Sequence, residues 1–371
     1  MPVPFKVQKS RDKLPFHIAD HIAVAWKDSI LIWGGNIGGR DYPLGLVTYR
    51  EGKSGEWITK TTMGECPTQI DPYPVGAQVL DDKLFVLGKR DHACVYSLDL
   101  NSWTWTRLSP TGNQPTAKMF DNGMTSWMHN GRIFCFGIRA ISTASVTNLL
   151  FCYNTTNNAW EWPDQEGEMP SPRFGPATLI VGDTLFLFGG IGVKGQEQYV
   201  KLNDLYVLNM LTMNWQQVHG ITQDSLVPSS SWGMSLTGVS EATALLEFKV
   251  RNSNTDNYLK LLGEMWVLDI DKAKQLQAPS SIWTRIPGQI RREDYAVVVE
   301  PVHQRLWIIG GHAEISESEK DILEMTTEIS SLKELAIERV ALSIHAEDPR
   351  LECGRFPKML MDLIKSYRMR I

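Results

Sequence analysis

The sequence predicts an all-β fold in which six four-stranded sheets follow one another, with a short helical segment at the C-terminus. Two observations lead to this prediction. Short runs of β-branched, aromatic and aliphatic residues recur along the chain, each too short for a helix and bounded by turn residues. Most of these units end in a tryptophan, and the 371 residues include 13 of them. Such large side chains can fill the space between neighbouring sheets.

The clearest unit runs from Pro172 to Trp215. Its runs ATLIV and TLFLF are joined by a Gly-Asp turn and predict an antiparallel hairpin. The pair Gly189-Gly190 ends the second strand, because glycine adopts backbone conformations that other residues resist. The runs DLYVLNM and NWQQV supply the third and fourth strands. This stretch therefore predicts one complete four-stranded sheet.

Five further units repeat this pattern. In chain order they contain the runs DSILIWGG, DDKLFVLG, NGRIFCFG, ATALLEF and QRLWIIGG. The double glycine is intact in the first, fourth and sixth units and replaced in the others. Six units at a period of about 50 residues resemble the kelch repeat, in which each repeat forms one blade of a β-propeller. The resemblance covers roughly Phe5 to Met325 and implies a six-bladed kelch β-propeller.

The sixth unit has three strand candidates and no closing tryptophan. Near the N-terminus, Phe5-Lys6-Val7-Gln8 alternates as a short strand. We expect this strand to complete the last blade, since closing the ring removes exposed sheet edges. The predicted domains are a propeller over residues 1–326 and a helical tail over residues 327–371.

Composition and motifs exclude several classes of function. The net charge of −5 gives no general attraction to nucleic acid, and no apolar run is long enough to cross a membrane. No C-x-x-C metal spacing, phosphate-binding loop, dinucleotide fingerprint or nucleophile motif occurs. His17 and His21 are four residues apart, but they lie in a loop that leads into a strand and not on a helix face, so no metal site is expected there. We therefore predict a protein that is not an enzyme and has no cofactor or metal.

The cysteines indicate the cellular compartment. The chain has five, without any C-x-x-C pair, and Cys135 and Cys152 lie inside strand patterns. Buried thiols are expected there, as in a reducing compartment. No N-terminal signal pattern is present, so the predicted location is the cytoplasm, the nucleus or both.

One face of the predicted ring collects basic residues. In a propeller, the connections that enter first strands and those that follow second strands open on the same face. The arginines at these positions are Arg90, Arg139, Arg173, Arg251 and Arg292. Arginine side chains suit a carboxylate, so the sequence predicts an anion-binding mouth. Solvated loop charges are the alternative explanation.

The tail after residue 327 has helical periodicity. Leu332, Leu335, Ala336 and Val340 fall on one face, with Ser331 as a plausible N-cap. A second helix is predicted to begin at Pro357. We expect these apolar faces to serve a partner, with packing against the propeller as the alternative.

The tail resembles two linked motifs. Ser331-Leu332-x-x-x-Ala336-x-x-x-Val340 is similar to the elongin BC box, with alanine in place of the usual cysteine. Phe356-Pro357-x-x-Leu360 is similar to the downstream cullin box. After six kelch repeats, this order resembles the kelch-domain substrate receptors of cullin-RING ubiquitin ligases. The resemblance implies elongin B, elongin C and a cullin as partners, and a substrate peptide as ligand.

Some receptors of that family capture the free C-terminus of a substrate. In them, two arginines, a serine and a tryptophan hold the terminal carboxylate. Ser231-Trp232 matches the serine and tryptophan, and Lys201 stands where one arginine is expected. The resemblance therefore implies a C-degron site that includes these residues. Two alternatives remain open: a kelch scaffold or cytoskeletal protein, and a kelch-type enzyme acting on an anionic small molecule.

Overall fold

The computed structural model describes most of the repeated region. The described residues are 5–37, 40–52, 54–67, 77–89, 93–116, 124–137, 139–140, 145–194, 198–219, 227–228, 234–240, 242–248, 265–286, 290, 292–302, 305–313 and 320–327. The chain divides into two compact units, Gln8–Glu324 and a second unit made of Met1–Val7 with Met325–Ile371. Apart from Thr327, which is the last residue of strand Asp321–Thr327, the predicted helical tail lies outside the described residues. The propeller and tail boundaries therefore stay a prediction.

The first half of the chain forms three blades. The first strand, β1, spans Phe5–Lys13. Blade one contains β2 (Ile22–Trp26), β3 (Ser29–Trp33), the small hairpin β4 (Asn36–Ile37) and β5 (Arg40–Asp41), then β6 (Leu46–Arg50) and β7 (Trp57–Thr61). Blade two contains β8 (Met63–Gly64), β9 (Ala77–Leu80), β10 (Lys83–Lys89), β11 (Ala93–Asp99) and β12 (Thr104–Leu108). Blade three contains β13 (Thr111–Gly112), β14 (Thr125–His129), β15 (Arg132–Phe136), the hairpin β16 (Arg139–Ala140) and β17 (Ser145–Val146), then β18 (Leu150–Asn154) and β19 (Ala159–Glu161).

The second half repeats the arrangement. Blade four contains β20 (Glu166–Gly167), β21 (Arg173–Phe174), β22 (Ala177–Val181), β23 (Thr184–Phe188), β24 (Ile191–Lys194), β25 (Gln198–Lys201), β26 (Leu205–Asn209) and β27 (Asn214–Gln217). Blade five contains β28 (Met234–Ser240), β29 (Thr243–Phe248), β30 (Met265–Asp269), the helices α1 (Ile270–Lys274) and α2 (Pro279–Ile282), and β31 (Trp283–Ile286). Blade six contains β32 (Arg292–Glu293), β33 (Ala296–Glu300), β34 (Arg305–Ile309), β35 (His312–Ala313) and β36 (Asp321–Thr327).

The six blades form a closed ring. The first strand of each blade contacts the first strand of the next, from β2 through β9, β14, β22 and β28 to β33, which returns to β2. The outermost strand of blade six is β1, which pairs with β36. Within the larger unit, Leu14 N–H donates to the Lys320 carbonyl at 2.8 Å, and Lys9 forms an ion pair with Asp321. The prediction of a six-bladed kelch β-propeller is confirmed.

The hydrophobic core lies between neighbouring blades. One buried cluster joins the sheets of blades one and two, where the rings of Trp33 and Trp105 approach to 5.4 Å. Trp215 is 0% exposed and packs between blades three and four. Its indole N–H donates to Gln165 Oε1 at 2.8 Å, so its one polar atom is satisfied. The predicted role of tryptophan as a filler between sheets therefore holds at these positions.

In blade four, backbone angles and steric contacts explain the double glycine. Gly189 and Gly190 have φ angles of +64° and +93°. A Cβ atom on Gly190 would lie 2.8 Å from the Phe174 carbonyl oxygen. This position therefore requires glycine both for its backbone angle and for the approach of the preceding loop.

Candidate functional site

Short hairpins follow the second strands at one end of the ring. They are β4–β5 in blade one, β16–β17 in blade three and β24–β25 in blade four, and in blade six β35 pairs with β32. Up-and-down strand order brings these connections to a common face of a propeller. The β17 strand of blade three contacts β24 of blade four. The hairpins thus build the surface on which the basic residues were expected.

The largest of these projections belongs to blade four. Strand β24 pairs with β25, with Val193 opposite Tyr199, and also with the short strand β21. The Tyr199 side chain is 42% exposed, and its ring meets the buried Phe174 ring edge-on at 5.8 Å. Lys201 is also exposed. Tyr199 and Lys201 are two residues apart on a strand and therefore point to the same side.

Arg173 has a different position from the one predicted. It is 0% exposed, and its Nη2 donates to Asp204 Oδ2 and Ser171 Oγ at 2.9 Å each. Its Nη1 donates to the Gly189 carbonyl at 3.0 Å and also to Asp204. The guanidinium group therefore holds the end of the second strand against the start of the third. The expectation that Arg173 faces a ligand is corrected: its donors are used within blade four.

Arg292 occupies the equivalent position in blade six, four residues before the first strand. It is 1% exposed, and its Nη1 donates to the carbonyls of Asp321 at 2.6 Å and Gly310 at 3.3 Å. Gly310 begins the double glycine of blade six, as Gly189 does in blade four. Both buried arginines therefore join the same two chain segments of their blades, and Arg292 too is structural rather than ligand-facing.

The other predicted site residues fall into two groups. Arg139 lies on β16 of the hairpin in blade three, where the structure describes its backbone. Predicted residues outside the described ranges are Arg90, Ser231, Trp232 and Arg251 in the mouth, and Ser331, Leu332, Leu335, Ala336, Val340, Phe356, Pro357 and Leu360 in the tail. These remain predictions.

The structure adds two exposed residues to this face. Tyr199 stands two positions before Lys201, and their alternation in QYVK was the available sequence signal. Arg40 is exposed on the β4–β5 hairpin of blade one. The Tyr199 ring beside the Lys201 cation suits a peptide that carries an anionic group, because the ring supplies contact area and the cation supplies attraction.

The described residues provide no metal centre. Among them, no group of three or more histidine, cysteine, aspartate or glutamate side chains is arranged to hold an ion. Cys135 and Cys152 are 0% and 1% exposed, and burial raises the pKa of the Cys152 thiol to about 12. Both are therefore protonated core residues, as their strand positions predicted. In the described part of the chain, no helix is both long and apolar enough for a membrane span.

Comparison with protein families gives one match that covers more than half of the chain. The model of the KLHDC2/KLHL20/DRC7 Kelch-repeats domain matches residues 12–246. These residues include strands β2 to β27 of the first four blades and the first hairpin of blade five as far as Leu246.

Individual relatives are more distant. Acyl-CoA-binding domain-containing protein 4 of Arabidopsis thaliana is 28% identical over 179 residues, which are 45% of this chain and 25% of that protein. Kelch domain-containing protein 10 of Rattus norvegicus is 26% identical over 218 residues, 54% of this chain and 50% of that protein. Kelch domain-containing protein 3 of Bos taurus is 27% identical over 128 residues, about a third of each chain. The matched region thus spans half or less of these relatives.

Proposed function

Because the chain belongs to the kelch-repeat family and forms a protein-interaction β-propeller, we propose that it is the substrate-recognition subunit of a cullin-RING ubiquitin ligase. The propeller mouth binds a substrate peptide, and the C-terminal tail binds elongin B, elongin C and a cullin. The chain performs no covalent chemistry. It raises the effective concentration of substrate near a ubiquitin-charged partner.

The exposed β24–β25 hairpin is the observation that carries the peptide-binding half. It places Tyr199 and Lys201 on one side of a strand that projects beyond the blade. Of the predicted cationic site residues whose side chains the structure describes, Arg173 and Arg292 are buried and Lys201 is exposed. Lys201 can therefore offer its charge to a ligand. A lysine attracts a terminal carboxylate as a point charge, without the bidentate hydrogen bonding that an arginine would supply. Arg90, Arg139, Ser231, Trp232 and Arg251 complete the proposed site.

The tail motif supports the adaptor half. Its Ser-Leu start, its small residue at Ala336 and the downstream Phe-Pro pair occur in the order expected of a BC box and a cullin box. The matched family model carries the name of KLHDC2, which supports comparison with receptors of this type.

A peptide-binding measurement tests the mouth. A library of random peptides is offered to the full chain, once with free C-terminal carboxylates and once with amidated ends. We expect selection of peptides only from the free-carboxylate library, and about tenfold weaker binding by Lys201→Glu. Lys83→Glu is the matched control, because Lys83 is also an exposed lysine and lies at the opposite end of the ring, in the first hairpin of blade two. Equal loss in both variants, or equal binding of amidated peptides, would contradict the proposed site.

A binding measurement with purified elongin B–elongin C complex tests the tail. The wild-type chain is expected to bind, and Leu332→Asp to lose binding while peptide capture is unchanged. Leu351→Asp, outside both motifs, serves as the control. Wild-type protein that does not bind elongin would refute the adaptor role and favour a kelch scaffold protein.

A further inference from the structure

An exposed serine lies in the connection that enters blade four. The two-residue strand β20 pairs in parallel with β27 as the fifth strand of this blade and ends at Gly167. The next strand, β21, begins at Arg173, and residues 168–172 between them lie outside any strand. In this connection both Ser171 and Pro172 are exposed. A modifying enzyme therefore has access to the Ser171 hydroxyl group.

Two other blades have an equivalent connection. Blades two and three also carry fifth strands, β8 and β13, along their outer edges. From the glycine of each fifth strand, the connections of blades two, three and four read G-E-C-P-T-Q, G-N-Q-P-T-A and G-E-M-P-S-P. The Gly-x-x-Pro spacing and the hydroxyl residue that follows it are thus shared by the three blades. In blade four alone of these three, proline follows the hydroxyl residue, and Ser-Pro is the pattern that proline-directed protein kinases recognise.

The Ser171 hydroxyl group already contacts a cation. Its Oγ accepts a hydrogen bond from Arg173 Nη2 at 2.9 Å, and the Ser171 carbonyl accepts one from Arg173 Nε at 3.0 Å. A phosphate group on this oxygen carries about −1.5 to −2 charges at pH 7 and offers three strong acceptor oxygens. Arginine donates to phosphate in bidentate geometry. Phosphoserine at position 171 would therefore find its partner in place.

Arg173 shares its donors between Ser171 and Asp204. Both Nη1 and Nη2 donate to the Asp204 carboxylate. A phosphate group within reach of Nη2 competes with this carboxylate for the donor and repels it, because both groups are anions. The Asp204 side chain keeps 19% exposure, so its carboxylate can turn towards water. Phosphorylation of Ser171 therefore weakens the contact between Arg173 and Asp204.

This contact lies at the base of the β24–β25 hairpin. The hairpin leaves the second strand after Gly189 and returns to the third strand, β26, at Asp204. The Gly189 N–H donates to the Asp204 carbonyl at 3.0 Å, and Arg173 Nη1 donates to the Gly189 carbonyl at 3.0 Å. Release of the Asp204 side chain thus loosens the base of the hairpin that carries Tyr199 and Lys201.

We propose that Ser171 is a phosphorylation site for a proline-directed protein kinase, and that its phosphate group weakens peptide capture by drawing Arg173 away from Asp204. The effect on capture rests on the proposed peptide-binding function. In the reaction, Ser171 Oγ forms a bond to the γ-phosphorus of ATP, and the bond from that phosphorus to the bridging oxygen breaks. ADP leaves with the electron pair, and the catalytic aspartate of the kinase accepts the hydroxyl proton.

Phosphate mapping tests the site. The full chain is incubated with ATP and a purified, active mitogen-activated protein kinase, and its peptides are analysed by mass spectrometry. We expect phosphate on Ser171 in the wild-type chain and at least about tenfold less on that serine in Pro172→Ala. Ser109→Ala is the matched control, because Ser109-Pro110 is the other Ser-Pro pair of the sequence and Ser109 is also exposed. This control should leave phosphorylation of Ser171 unchanged. A wild-type chain that takes up phosphate at Ser109 alone, or at neither serine, would overturn the proposal.

Amide hydrogen exchange measures the structural consequence without any ligand. Phosphorylation of the wild-type chain should speed exchange at least about threefold in peptides that cover the β24–β25 hairpin and the start of β26. Kinase-treated Ser171→Ala should exchange at the rate of the same variant without kinase. Exchange that is unchanged by phosphorylation, or that changes equally in Ser171→Ala, would refute the loosening of the hairpin.

Peptide capture connects the modification with the proposed function. A peptide selected from the free-carboxylate library should bind the phosphorylated chain at least about fivefold more weakly than the untreated chain. Kinase treatment should leave the affinity of Ser171→Ala unchanged. Equal or tighter binding by the phosphorylated wild-type chain would contradict the effect on capture. An untreated chain that binds no peptide would refute the proposed function, and phosphate mapping with hydrogen exchange would still decide whether phosphorylated Ser171 loosens the hairpin.

Discussion

Replacing Arg173 should destabilise the propeller rather than act directly on a ligand. The Arg173 side chain is 0% exposed and bonds to the Asp204 carboxylate, and the Asp204 side chain keeps 19% exposure. Removing one partner of a buried ion pair costs about 3–5 kcal/mol, because the other charge stays behind. Since Asp204 can recruit some water, we expect Arg173→Ala to lower the free energy of unfolding by about 3 kcal/mol. Against a total of about 5–15 kcal/mol for a native domain, this is a large loss.

Urea unfolding followed by tryptophan fluorescence measures this effect. Asp204→Asn keeps a hydrogen-bond acceptor but leaves the fully buried Arg173 charge without its ion pair, so it should also cost about 3 kcal/mol. Arg173→Lys, which keeps the ion pair but loses the bidentate geometry, should cost less than either. An Arg173→Lys variant with wild-type stability that no longer binds peptide would refute the structural role and return Arg173 to the binding site.

Three further predictions concern the blades themselves. Gly190→Ala should cost about 1–3 kcal/mol in urea unfolding, since its Cβ would lie 2.8 Å from a carbonyl oxygen. Gly182→Ala, with φ of +61° and open space around its Cβ, should cost less, and equal losses would count against the steric argument. Side-chain hydrogen bonds from Lys27, Asn101 and Trp26 lower the pKa of Asp82 from 3.8 to about 2. The stability that the ionised carboxylate contributes is therefore present above pH 4 and is lost as the pH falls towards 2. Asp82→Asn should remove this part of the acid dependence, and an unchanged stability profile between pH 4 and pH 2 would contradict it. Burial raises the pKa of Cys152 to about 12, so a thiol reagent at pH 8 should modify Cys152 only when the protein unfolds. Mass spectrometry of the modified peptides measures this, and rapid modification of the native protein would contradict the prediction.

The main strands were predictable because they have strong periodicity. ATLIV, TLFLF and DLYVLNM became β22, β23 and β26, and the Gly-Asp turn joins the first two as expected. The fifth strands were missed because a two-residue strand such as Glu166–Gly167 has no period to detect. Their repeated Gly-x-x-Pro spacing was present in the sequence, but its meaning depends on the carbonyl groups of another strand.

The site was less predictable than the fold. A charged residue near a turn has the same local sequence pattern whether its side chain faces solvent or forms an ion pair inside the protein. Arg173 pairs with Asp204, 31 residues away, and sequence spacing alone does not reveal that contact. Lys201 is exposed, by contrast, because the extra residues after Gly190 form a hairpin that extends beyond the blade. Long-range pairing therefore decided which predicted cations are available to a ligand.

The proposed role requires the chain to hold a substrate peptide and an elongin complex at the same time. Size-exclusion chromatography of the full chain with purified elongin B–elongin C and a fluorescent peptide selected from the C-terminal library measures this directly. We predict that the peptide co-elutes with elongin on the wild-type chain, and that Leu332→Asp shifts the peptide to a smaller complex without elongin. Peptide that remains bound to a wild-type chain free of elongin, or elongin that displaces the peptide, would contradict the account.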